Sequence, residues 1–280
     1  MEALRRRPTR RTGTDILTYL CLAFYGLATV ASLIGLLGRS PRAKKLAVMF
    51  CSTGFAAHTA WLVASLIDGS FSAVSRGFYL MPLSWVLAGA GLFMARRQRQ
   101  DIALHFVSPW AFFLGSCAVG FAETPGAPLI AGPLFVMHLI AVFIGVGVMA
   151  VAAGAGTIFL VQEKSIKSKT ALEGFRRDLP SLGTLDKVND MATKVGFPCY
   201  AVGVLCGFLW ARIHWGSFGS GDLKVWISLV ILAIYALLFH QRQALGWRGR
   251  KPAILAIVIF AASLFSMFVV NTAFPTQHGF

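Results

Sequence analysis

The sequence predicts an all-α, polytopic integral membrane protein with about eight transmembrane helices. Two observations carry that prediction. Of the 280 residues, 56% are hydrophobic and only 13% charged, whereas a soluble domain carries about a quarter charged residues. The apolar residues also fall in blocks of the ~20-residue length that a bilayer span requires. Only helices or closed barrels satisfy their backbone groups in lipid, and the alternating strands of ~10 residues that build a barrel are absent.

The blocks place spans at 16–37, 46–67, 77–95, 102–122, 133–161, 190–212, 225–241 and 253–272. The third and seventh are short and flanked by polar residues. The chain divides into a basic N-terminal segment, 1–15, and a single transmembrane helical domain, 16–280. No small-residue cleavage site follows the first apolar run, and its apolar core is too long for a signal peptide.

The formal net charge is +15, and its distribution explains its origin. The connections 38–45, 95–101, 162–189 and 242–251 hold most of the 26 Lys and Arg. The intervening connections, around 68–76, 122–132 and 213–224, are almost free of them. That alternation is the positive-inside pattern, which puts the basic loops in the cytoplasm and the opposite loops and the C-terminus outside. Topology and attraction to anionic membrane lipid account for the charge, so nucleic acid is not an expected partner. The five arginines of MEALRRRPTRRTGTD run against this orientation. Either the first span is not a full crossing, or the later loops outvote the N-terminus.

Several function classes drop out. The cysteines, Cys21, Cys51, Cys117, Cys199 and Cys206, lie within or beside apolar runs and form no C-x-x-C pair, so they read as small buried hydrophobes. There is no Walker loop, no G-x-S-x-G and no H-E-x-x-H. Inverted repeats and intramembrane acids, the marks of many transporters, are also missing.

Ionisable groups at membrane depth are expensive and therefore candidate functional groups. His58 lies ~two turns before the outer end of the second span, and His138 ~one turn below the outer start of the fifth. His214 opens the outer loop WARIHWGSFGSGDLKVW, 210–226, and His278 closes the C-terminal segment. Imidazole is the usual axial ligand of haem iron and a frequent metal ligand. Two such groups from different segments could hold an iron between them, with aromatic side chains against the porphyrin. The bland alternatives remain open: interfacial histidines that hydrogen-bond between helices, and tryptophans that anchor an aromatic belt.

The segment GFPCYAVGVLCGFLWARIHWG, 196–216, resembles the helix entering the tryptophan-rich loop of the CcsA/HemX-like cytochrome c assembly family. The register continues through Asp222, Lys224, Tyr235, His240, Arg242 and Gly246-Trp247-Arg248-Gly249 to Asn271 and His278. Upstream, MHLIAVF and the basic QEKSIKSK loop resemble the family's fifth span and its exit. The family-like part is 133–280; the first 130 residues match only in layout, with His58 resembling a histidine of the HemX-like branch.

The resemblance implies a multi-pass protein of the bacterial inner (cytoplasmic) membrane. Such a protein receives a transient b-type haem and presents it outside for attachment to apocytochrome c. His138 and His278 match the two external histidines that ligate haem iron. Trp210, Trp215, Phe218, Asp222, Lys224 and Trp226 form the loop against the porphyrin, with His58 as a further cofactor-binding candidate. Lys224 and Arg212 are the cations close enough for the propionates. No catalytic residue is implied, because the nucleophiles are the thiols of the apocytochrome. The chain is at most one component of a haem-attachment system, beside a ResB-like membrane partner and thiol-reducing proteins.

The loop departs from the family pattern WGxxWxWDPKE. Gly219 and Gly221 replace two tryptophans, Leu223 the proline and Val225 the glutamate; Trp226 stands one residue before the next tryptophan position, now Ile227. This departure motivates a second reading, a non-catalytic HemX-like regulator or scaffold of haem and tetrapyrrole metabolism. A small-molecule transporter ranks behind both.

Overall fold

A computed structural model describes residues 11–38, 40–67, 79–98, 102–120, 132–168, 179–218 and 221–270. They form α1 (Arg11–Leu37), α2 (Pro41–Ile67), α3 (Leu80–Gln98), α4 (Ile102–Gly120), α5 (Pro133–Lys167), α6 (Leu182–Trp215), α7 (Leu223–Gln243) and α8 (Arg250–Phe265). A π-helical turn, Ser266–Val270, continues α8. Each expected span is met by a helix. Six of the helices are long and apolar enough to cross a membrane, and α3 and α4 are shorter apolar helices. The short seventh run becomes a 21-residue helix that qualifies as a span.

Consecutive helices pack as antiparallel hairpins, α1 on α2, α3 on α4, α5 on α6 and α7 on α8. α5 lies at the centre, against α3, α4, α6 and α8. Hydrophobic driving force between helices is weak in lipid, so close packing depends on small residues at the crossings. The α5–α6 contact illustrates this. A Cβ on Gly145 would stand 2.8 Å from the Tyr200 Cβ, and one on Gly203 would stand 2.6 Å from a Val142 methyl. Gly156 meets the backbone of Ala253 on α8 in the same way.

α5 and α6, with 35 and 34 residues, are ~50 Å long and overshoot a ~30 Å hydrocarbon core. Their overshoot is on the face where the basic connections lie, hereafter the basic face. There Arg242 of α7 reaches α6: its Nε donates to Asp190 Oδ1 (3.2 Å), its Nη1 to Asp186 Oδ1 and Asn189 Oδ1 (each 3.2 Å) and its Nη2 to the Asp186 carbonyl (3.0 Å). Asp186 also accepts from the Gly249 N–H at 2.8 Å. The α7–α8 turn is thus clasped to α6, and Gly246 and Gly249 give it two positive φ angles, 66° and 80°.

Candidate functional site

The site lies on the opposite, low-charge face, where α5 and α7 begin and α6 and α8 end. Between them is a cavity of about 1050 Å³, counting its open mouth. Phe135, Leu139, Val142 and Phe143 of α5, Val204 and Phe208 of α6, and Ile231 of α7 make its walls mainly apolar. Its polar groups include His138, Tyr79, Tyr200, Lys224, Ser228, Ser263 and Ser266.

His138 is half-buried, one turn into α5, and its Nδ1 lies 2.7 Å from the Gly203 carbonyl oxygen on α6. A carbonyl only accepts, so Nδ1 carries the proton and Nε2 the lone pair. That is the arrangement in which an imidazole ligates a metal while its other nitrogen is held by the protein. Gly207, one turn further along α6, makes the seat: a Cβ there would fall 2.6 Å from His138 Nδ1. Phe135, one turn before His138, packs its ring 6.4 Å from the imidazole.

The aromatic residues divide into two layers. Trp215 and Phe218 line the cavity. Trp210 is buried behind them, its ring 5.1 Å from both Phe135 and Trp215 and stacked on His214 at 4.6 Å. It backs the wall rather than forming it. Trp226 is 57% exposed on α7 and does not line the cavity. Gly216, at φ 68°, ends α6 in the left-handed conformation and turns the chain toward Phe218.

Asp222 is buried and caps α7, its Oδ1 accepting from the Lys224 N–H at 2.8 Å. The cap holds the first turn of α7 and so aims Lys224, which lines the cavity with its ammonium 5.9 Å from the Tyr79 ring. Arg212 is committed elsewhere: it donates to the Gly216 carbonyl at 2.7 Å, with its guanidinium 6.0 Å from the Phe218 ring. The Tyr79 hydroxyl donates to the Met267 carbonyl at 3.1 Å, tying the start of α3 to the π-helical turn that closes the cavity.

The structure therefore brings His138, Trp215, Phe218 and Lys224 together, with Trp210 and Asp222 in support. His58 is elsewhere, fully buried on α2 with its Nδ1 3.2 Å from the Tyr25 hydroxyl. His278 and Gly219 lie outside the described residues. Among the described residues no group of three or more His, Cys, Asp or Glu is placed to hold a metal ion, and His138 is the histidine among the residues that line the cavity. Sequence reasoning missed Tyr79, Phe135, Gly203, Ser263 and Ser266. Phe135 was detectable as the residue one turn from His138, and Gly203 and Gly207 as a small-xxx-small pair.

Fold and cavity together define a multi-pass helical membrane protein with a histidine-bearing apolar site at one face of the membrane. A family profile described as cytochrome C assembly protein matches residues 77–278, and the chain belongs to that family. It is 35% identical over 103 residues to the cytochrome c biogenesis protein CcsA of Crocosphaera subtropica, covering 37% of this chain and 30% of that one. Against CcsA of Chlamydomonas reinhardtii the identity is 28% over 158 residues, covering 56% and 43%. The chain spans less than half the length of these curated relatives. The solved structure of the cytochrome c haem lyase CcmF superposes with a TM-score of 0.70 at 15% identity, over 99% of this chain and 49% of that one. At that identity the likeness is one of fold.

Proposed function

We propose that this protein binds haem at its low-charge face and holds it there for attachment to apocytochrome c. The observation that carries the reading is His138: a tautomer fixed by Gly203, a lone pair on Nε2, and an apolar cavity on the same helix face. These residues fit a porphyrin. Imidazole suits its iron, aromatic walls from Phe135, Trp215 and Phe218 suit its apolar faces, and the Lys224 ammonium suits a propionate. His278, seven residues after Asn271 in the family register, is the proposed second ligand. Bound haem supplies the electrophilic vinyl groups that cysteine thiols attack; the protein supplies position and electrostatics. Trp210 and Asp222 act through Trp215, Phe135 and Lys224, and the reading gives no ligand role to His58 or Trp226.

The positive-inside pattern supports a basic face in the cytoplasm and the cavity outside, in the bacterial inner membrane. Apocytochrome c reaches the haem from that side. A ResB-like membrane partner and thiol-reducing proteins complete the proposed system.

The glycines at 219 and 221 favour a second reading, a HemX-like regulator that handles haem without presenting it. Complementation separates the two. Expressed in a bacterium lacking its CcsA-type protein, the chain should restore covalent haem staining of c-type cytochromes, and Gly219→Trp/Gly221→Trp should raise the yield. A yield independent of both the loop and His138 would favour the regulator.

A further inference from the structure

A second cavity lies between α2 and α3, lined by Ser52, Phe55, Gly89, Leu92, Phe93 and Arg96 and holding about 770 Å³ with its open side. It shares no residue with the cavity of His138. Toward the low-charge face the two helices are pinned together. The Phe55 ring stacks on Trp85 at 5.1 Å and 14°, and the Trp85 indole N–H donates to Thr59 Oγ1 at 2.9 Å. Gly89 permits this pin, because a Cβ there would be 3.0 Å from the Phe55 ring.

From the pin toward the basic face the walls are Ser52 on α2 and Leu92 and Phe93 on α3, and the mouth is Arg96. Phe93 is 59% exposed and Arg96 is exposed. Arg96 is seven residues beyond Gly89, ~10 Å along the axis. With 19 residues, α3 is ~28 Å long, close to the ~30 Å hydrocarbon thickness, so a guanidinium near its basic end reaches the depth of lipid phosphates.

We infer that this groove is a binding site for an anionic phospholipid, the first part of one acyl chain lying between α2 and α3 as far as the Phe55–Trp85 pin and the phosphate paired with Arg96. Charge complementarity at the mouth and apolar walls below it match the two parts of such a molecule. A partner helix is 10–12 Å across with its side chains and does not enter a cleft whose walls already touch at Phe55 and Gly89. A basic side chain near an anionic surface is worth about 1 kcal/mol, which corresponds to about fivefold in affinity.

The test is native mass spectrometry of the delipidated full chain with added phosphatidylglycerol or phosphatidylcholine. The wild type should retain one phosphatidylglycerol about fivefold better than phosphatidylcholine. Arg96→Gln, at an exposed position, should abolish the preference, and Arg96→Lys should restore most of it. Ser52→Leu, which fills the groove from α2, should lose the retained lipid of either kind. Equal retention of phosphatidylglycerol in the wild type, Arg96→Gln and a folded Ser52→Leu would overturn the inference. So would equal retention of the two lipids by the wild type. Neither outcome bears on haem binding at His138.

Discussion

His138 of α5 is held to α6 by a hydrogen bond from its Nδ1 to the Gly203 carbonyl oxygen, 2.7 Å long, and Gly207 leaves the room the ring needs. A short imidazole reaches a backbone carbonyl of a neighbouring helix only where the two helices come very close. The α5–α6 crossing is that close because Gly145, Gly203 and Gly207 lack side chains. Packing of the hairpin and orientation of the imidazole are therefore one feature.

Gly207→Ala tests that coupling. Its Cβ would stand 2.6 Å from Nδ1 and 2.8 Å from Cε1 of His138, so the ring must tilt or leave its carbonyl. Loss of the group that orients a metal-ligating histidine typically costs about 10–100-fold in affinity. Haem titration of the purified variant should show a loss in that range, with helix content by circular dichroism unchanged.

Lys224 should read the carboxylates of the ligand. A hydrogen bond to a charged group contributes about 1.5–3 kcal/mol, hence roughly tenfold or more in affinity. The wild type should bind haem more tightly than its dimethyl ester. Lys224→Met should bind the two alike while keeping the affinity of the wild type for the ester. A variant that still discriminates would place carboxylate recognition elsewhere.

On the basic face, Arg242 is the counter-ion of both Asp186 and Asp190, with its side chain 2% exposed. Removing one member of a buried ion pair costs about 3–5 kcal/mol. Arg242→Leu should lower the thermal midpoint in detergent by several degrees, and Arg242→Leu/Asp186→Asn should recover part of the loss. Haem absorbance of the folded fraction should be unaffected by either, since the clasp and the cavity lie at opposite ends of α6 and α7.

The helices were legible because apolar runs of spanning length leave few alternatives in lipid, and their ends differ from the expected ones mainly where α1, α2, α5 and α6 extend into polar sequence. The site was legible in part. His138, Trp215, Phe218 and Lys224 could be picked out as chemistry-bearing residues near one face. The sequence did not separate the cavity-lining Trp215 from Trp210 behind it, because both are indoles on the same last turns of α6. Asp222 looked like part of a loop site, yet an Asp immediately before an apolar helix is also the sequence mark of an N-cap, which is how it is used. Tyr79 and Met267, 188 residues apart, meet through a tertiary hydrogen bond that no local pattern encodes.

The most direct measurement of the central claim is the absorption spectrum of the detergent-purified protein with haem, oxidised and reduced. A Soret band of a histidine-ligated haem is expected in the wild type, with loss of that band in the His138→Ala/His278→Ala double variant and a retained fold by circular dichroism. Failure of the wild type to bind haem in either redox state, or a double variant whose spectrum matches the wild type, would contradict the account.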